Sequence, residues 1–156
     1  MNVDSALMLE ISREVWSTVL SMDLEESEHP EPDLQFGVGY FVGSVQITGE
    51  RDLVVTISLP RALALKAAAA MLEMDPTEVV DELITDALGE ITNMVAGSLK
   101  NRVAGGCRLS VPTVIQGDHI VFCLPGSHLL LDLALTSAML PLTIAVRERL
   151  VHRSLI

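Results

Sequence analysis

Basic residues are scarce in this 156-residue chain: 10 Lys+Arg face 21 Asp+Glu, a formal net charge of −11. Affinity for a phosphate backbone comes mainly from Lys and Arg, so no nucleic-acid partner is expected. Aromatic residues are scarcer still, 3% against 49% hydrophobic, and the core must be built from Leu, Val, Ile, Ala and Met. A chain this apolar does not fit the composition of disordered segments. The two cysteines, Cys107 and Cys123, follow no metal or redox spacing, and they read as reduced thiols beside strands. Long apolar runs are missing as well. The longest stretch without a charge, Leu34 to Gly49, has sixteen residues of which four are glycine, whereas a membrane-spanning helix needs about 20 predominantly apolar residues. With Asp4 and Glu10 near the start and no basic n-region, neither membrane insertion nor a signal peptide is expected. A cytoplasmic protein of one domain, 1–156, fits these limits.

Along the chain, Met8, Ile11, Val15, Val19 and Met22 mark one face of an amphipathic helix within 1–23, with Trp16 beside it as a core anchor. An acidic loop follows over 24–34. Asp23 to Asp33 holds six acids, two prolines and no Lys or Arg, a solvated connection with no spaced set of metal ligands. The core, 35–156, opens on a strand from Phe36 to Thr48 whose alternation changes phase near Gly43-Ser44, which predicts a bulge at Gly43. Gly49-Glu50-Arg51-Asp52 turns it into a second strand, Leu53 to Leu59. Pro60 then opens a helix at its N1 position, and the run from Ala62 to Met74 suits one. Asp75-Pro76-Thr77-Glu78 has the punctuation of a helix start, and Gly105-Gly106 marks the end. If continuous, that helix has about 29 residues and a length of about 43 Å. Strands are predicted at Arg108–Val111, His119–Leu124, Leu129–Thr136 and Leu142–Val151, with turns at Gln116-Gly117-Asp118 and Pro125-Gly126-Ser127. No internal repeat is present. The order implies an α+β fold, a largely antiparallel sheet packed on two central helices.

The long helix carries the chemistry. Leu83, Ala87, Ile91, Met94 and Ser98 form its buried stripe, widened by Ile84, Leu88, Val95 and Leu99, while Asp86, Glu90, Asn93 and Gly97 share a sector about 60° wide on the other side. Two carboxylates and an amide therefore project together. Gly89, Thr92, Asn93 and Gly97 are poor helix formers, each glycine costing about 1 kcal/mol relative to alanine. A local rule broken without structural gain points to function. Other constellations are weak. His29, His119, His128 and His152 share no ligand or triad spacing, and Gly37-Val-Gly39 precedes no helix, so it is no dinucleotide fingerprint.

The string Asp86-Ala-Leu-Gly-Glu90-Ile-Thr-Asn93-Met-Val-Ala-Gly97 resembles the phosphatase motif of the CheC/CheX/FliY chemotaxis family: an Asp or Ser, a Glu four residues on, and an Asn three further. Leu109-Ser-Val-Pro112-Thr-Val-Ile-Gln-Gly117 is similar to the proline-containing segment of CheX proteins. A single Glu-x-x-Asn helix makes CheX the closer match. Pro112 follows Asn93 after 18 intervening residues, fewer than in the CheC pattern, and is read as structural. The resemblance implies hydrolysis of the aspartyl-phosphate on a CheY-like response regulator. Asn93 would orient the attacking water, Glu90 would dock on the receiver's lysine, and Asp86 and Gly97 would assist docking. No cofactor is expected in this chain, the Mg²⁺ belonging to the receiver. A homodimer joined edge to edge through Leu129–Thr136 or Leu142–Val151 is also implied. The alternative is a non-catalytic module of the same fold that binds a receiver or a motor component.

Overall fold

Two hairpins make the centre of the sheet. β2 (Tyr40–Thr48) and β3 (Leu53–Pro60) pair from Tyr40 opposite Pro60 to Ile47 opposite Leu53. β6 (Ser127–Ser137) and β7 (Leu140–Arg149) form the second hairpin, and β7 lies against β3. A two-residue β1 (Glu25–Glu26) lies outside β6. At the opposite edge β4 (Arg108–Leu109) and β5 (Thr113–Gly117) follow one another along β2. The resulting order is β1-β6-β7-β3-β2-β4/β5, with every pair antiparallel. These features come from a computed structural model that describes residues 2–27, 39–103 and 105–150.

Alternate strand residues explain why the helices stack where they do. Phe41, Val45, Ile47, Val55, Ile57 and Ile144 are fully buried and share one contiguous cluster with Met8, Leu63, Ile84, Ile91 and Leu99 of the helices. The helices are α1 (Ser5–Val15), α2 (Arg61–Leu72) and α3 (Asp81–Val103). All lie on one face, giving the α+β fold with an antiparallel sheet that the element order implies. α1 begins at Asp4, whose carboxylate accepts from the Leu7 amide at 2.9 Å. It continues into a π-helical turn, Trp16–Leu20. Trp16 is fully buried, and its indole N–H donates to Ser137 Oγ at 3.1 Å, which in turn donates to the Asp23 carbonyl at 2.8 Å.

Several expectations need correction. The bulge predicted at Gly43 does not occur, because the β2–β3 register runs unbroken through it. Gly43 is an in-phase member of the helix-facing set Phe41, Gly43, Val45 and Ile47; its side chain is missing because α3 fills the space. A Cβ there would lie 2.2 Å from Thr92 Oγ1 and 3.2 Å from Leu88 Cγ. Pro60 ends β3 and caps α2 rather than occupying N1. Asp75 caps only a single 3-10 turn, Pro76–Glu78, accepting from the Thr77 amide at 2.9 Å and its hydroxyl at 2.7 Å. Val79 then goes extended (φ −83, ψ 117) and buries its side chain, so α3 starts at Asp81 and has 23 residues. Adjacent β-branched residues, Val79 and Val80, favour that extended backbone.

His119–Leu124 forms no strand. His119 has a positive φ of 52°, Val121 is 85% exposed, and the segment lays Phe122 over Arg147, 6.0 Å from guanidinium carbon to ring centre. Arg147 alternates with buried Val146, so this connection meets the sheet face away from the helices. The strand is instead β5, which reaches Gly117 where a turn was expected. Leu142–Val151 is no free edge, since β7 pairs on both sides, with β3 and with β6. Val151, residues 28–34 of the acidic loop, residues 36–38 of the strand expected from Phe36, and His29 and His152 lie outside the described residues.

Candidate functional site

α3 is held to the sheet by the meeting of Thr92 with Gly43. Thr92 is fully buried and its hydroxyl donates to the Leu88 carbonyl at 2.7 Å, so its polar atom is satisfied within the helix. That seating turns the opposite face of α3 to solvent. Asp86 and Glu90 are exposed there, and Asn93 and Gly97 are half-buried. All lie within uninterrupted α-helix, which places Glu90 about 6 Å along the axis from Asp86 and Asn93 about 4.5 Å beyond it.

The charges at the two ends of α3 are tied to the fold. At the N-terminus Asp81 pairs with Arg61 and accepts from Gln116 Nε2 at 3.5 Å. The hydrogen bond from Arg61 holds the Asp81 carboxyl below its usual range and raises the guanidinium in turn. Asp75, just before, is lowered by its bonds from Thr77. At the C-terminus Arg102 reaches Glu10 at 3.0 Å and Glu14 at 3.5 Å on α1. The middle differs. Among the described residues, the side chains of Asp86, Glu90 and Asn93 make no hydrogen bond or ion pair. An unengaged carboxylate and an amide one turn apart can hold an external cation and an external water together, since an amide both donates and accepts.

The poor helix formers now divide. Thr92 has a packing role against Gly43. Gly89 is buried, and a Cβ on it would touch Pro112 at 3.5 Å and Val114 at 3.7 Å. At Gly97 the close neighbour is the chain's own Leu109, 3.6 Å from a Cβ built there. Pro112 thus packs on the helix beside the site. Of these four, Asn93 is left with no partner among the described residues to explain it.

One feature beside the site is not legible from the residues as strands and turns. Leu109 pairs with Ile47 and Thr113 with Ser44, so three residues of the edge oppose two of β2. Ser110 stays in the ladder: its amide donates to the Gln46 carbonyl at 2.8 Å and its hydroxyl accepts from the Gln46 amide at 2.9 Å. The extra residue is Val111, which is 83% exposed. Pro112, which cannot donate to a ladder, is the signal that marks the interruption.

A family model described as "Chemotaxis phosphatase CheX" matches residues 41–128, a span that includes β2 from its second residue, β3, α2, the whole of α3 and the broken edge strand. The chain belongs to the CheX family. Solved structures agree on the fold. The CheX protein of Vibrio vulnificus superposes with a TM-score of 0.74 at 23% identity, over 91% of this chain and 93% of that one. A CheC-like superfamily protein from Shewanella sp. PV-4 gives 0.73 at 24% identity, over 96% and 99%. CheX in the CheX–CheY–BeF₃–Mg²⁺ complex from Borrelia burgdorferi gives 0.67 at 18% identity, over 96% and 100%. No curated protein matches by sequence. Glu90 and Asn93 lie on α3 within the matched span; no helix among the described residues is long and apolar enough to cross a membrane.

Proposed function

We propose that this CheX-family chain is a phosphatase that hydrolyses the aspartyl-phosphate of a CheY-like response regulator at the solvent face of α3. The single observation that carries the reading is that Glu90 and Asn93 lie three residues apart on an uninterrupted helix, both without a side-chain partner among the described residues, in a chain of this family. An acyl phosphate is already reactive, and the receiver brings its own Mg²⁺ and lysine. The phosphatase need add only orientation of water in line with the scissile bond, worth a large factor where charge stabilisation is already supplied. Asn93 would accept a hydrogen bond from that water. Glu90 would pair with the receiver's lysine and set the register that brings the amide to the phosphorus, and Asp86 and Gly97 would lie at the rim of the contact. The relative crystallised as a CheX–CheY complex supports the choice of partner.

We also propose assembly through β6. Its outer edge is paired by β1 at Leu135 and Thr136, while residues Ser127 to Leu133 have no strand beside them among the described residues. A second copy could extend the sheet there. Phosphate release from phosphorylated receivers, followed with and without the protein, tests the activity. Acceleration is expected, and Glu90→Ala should weaken binding and turnover together, because a charged contact is lost from ground and transition states alike. A protein that binds the receiver without accelerating the loss of phosphate would instead be a docking module.

A further inference from the structure

The segment that walls one side of α3 has more structure than its packing requires. Leu109 lies against Gly97 and Pro112 against Gly89, so the segment touches the helix one turn to either side of Asn93. Those glycines are about 12 Å apart along the axis, and three residues of extended chain cover about 10 Å, so Val111 stands level with the stretch between Glu90 and Asn93. The bulge extrudes Val111 from the ladder while Ser110 on one side and Pro112 on the other are pinned. Bulges are enriched next to active sites, where they re-aim a side chain. At 83% exposed, Val111 has no packing role among the described residues.

We propose that Val111 is a receiver-docking residue, an apolar contact that buries itself against the receiver's surface beside the phosphorylated aspartate. This rests on the phosphatase reading above. Electrostatics argue for such a contact. Residues 67–99 contain seven acids and no Lys or Arg, and a receiver's phosphorylation pocket is itself lined by carboxylates. Long-range attraction is therefore weak, and affinity has to come from short-range burial around the one Glu90–lysine pair. A β-branched side chain on a pinned backbone loses little conformational freedom when it is covered.

The test compares Val111→Ala and Val111→Asp with the intact protein in steady-state and saturating single-turnover dephosphorylation of a phosphorylated receiver, with binding to the beryllofluoride-loaded receiver measured in parallel. KM and Kd should rise about tenfold for alanine and about a hundredfold for aspartate, on the scale of burying one valine, while the saturated rate stays within about twofold. Val121→Asp, equally exposed on the connection that meets the far face, should change neither. Unchanged KM and Kd in both Val111 variants, with the wild type active, overturn the proposal and leave the phosphatase reading standing. A fall in the saturated rate at constant KM, or an equal effect from Val121→Asp, also overturns it. A wild type that neither binds nor dephosphorylates any receiver overturns both.

Discussion

Replacing Gly43 by alanine tests the contact that seats the helix of the site on the sheet. The added Cβ would fall 2.2 Å from Thr92 Oγ1 and 3.2 Å from Leu88 Cγ, so the hydroxyl has to move by about 1 Å to reach ordinary contact distance. It cannot swing freely, because it is fully buried and bonded to the Leu88 carbonyl at 2.7 Å. Overpacking costs about 1–3 kcal/mol, and a buried hydroxyl pulled off its acceptor adds about 1–3 kcal/mol. We expect Gly43→Ala to destabilise the fold by about 2–6 kcal/mol. Thr92→Ala removes the obstructing atom. Alone it should cost about 1 kcal/mol, through one lost hydrogen bond and a small void offset by better helix propensity. Combined with Gly43→Ala it should restore most of the loss, a coupling of at least about 1.5 kcal/mol in a double-mutant cycle. Urea unfolding followed by circular dichroism measures all four proteins. A Gly43→Ala protein within about 0.5 kcal/mol of wild type, or two strictly additive substitutions, would refute the reasoning.

The β6–β7 turn offers a gain instead. Ala138 and Met139 both have positive φ, 50° and 65°, between the paired Ser137 and Leu140, the geometry that two-residue hairpins reserve for Asn-Gly. Ala138→Asn with Met139→Gly should stabilise the protein by about 1–2 kcal/mol in the same assay; no gain would mean the turn is not strained. Acid should weaken the anchor of α3. Asp81 and Asp75 are both held below the ordinary carboxylate value, so their contribution is present above the unfolded pKa and lost as pH falls through the folded one. Stability should therefore decline between about pH 5 and pH 2. Arg61→Ala, which removes the main cause at Asp81, should flatten part of that decline; an unchanged slope would contradict the assignment.

How far the sequence reading reached can be judged at particular residues. The hydrophobic stripes of α1 and α3, the Gly49–Asp52 turn and the face shared by Asp86, Glu90 and Asn93 were legible because they depend on periodicity within one element. Most of the failures involve partners distant in sequence. Gly43 reads as a bulge until Thr92 is seen to occupy its side-chain volume, 49 residues further along the chain. Asp75 has every mark of a helix cap, yet its bonds close within two residues and Val79 finds a buried site that redirects the backbone. The apolar run His119–Leu124 looks like a strand, but it starts from a positive φ at His119 and lays Phe122 over Arg147 on the sheet face instead of pairing. Val111 could not be found from patterning, because its exposure follows from a mismatch between β4 and β5 on β2.

In the proposed reaction Asn93 supplies chemistry rather than affinity. Asparagine at a half-exposed helix position contributes little to the fold, and alanine is the better helix former there. Asn93→Ala should therefore bind a beryllofluoride-loaded receiver as tightly as wild type. Its single-turnover rate of phosphate release from the phosphorylated receiver should fall by about 10²–10³, or about 3–4 kcal/mol of transition-state stabilisation. A variant that keeps the wild-type rate, or that loses rate only in proportion to binding, would rule out that role for Asn93.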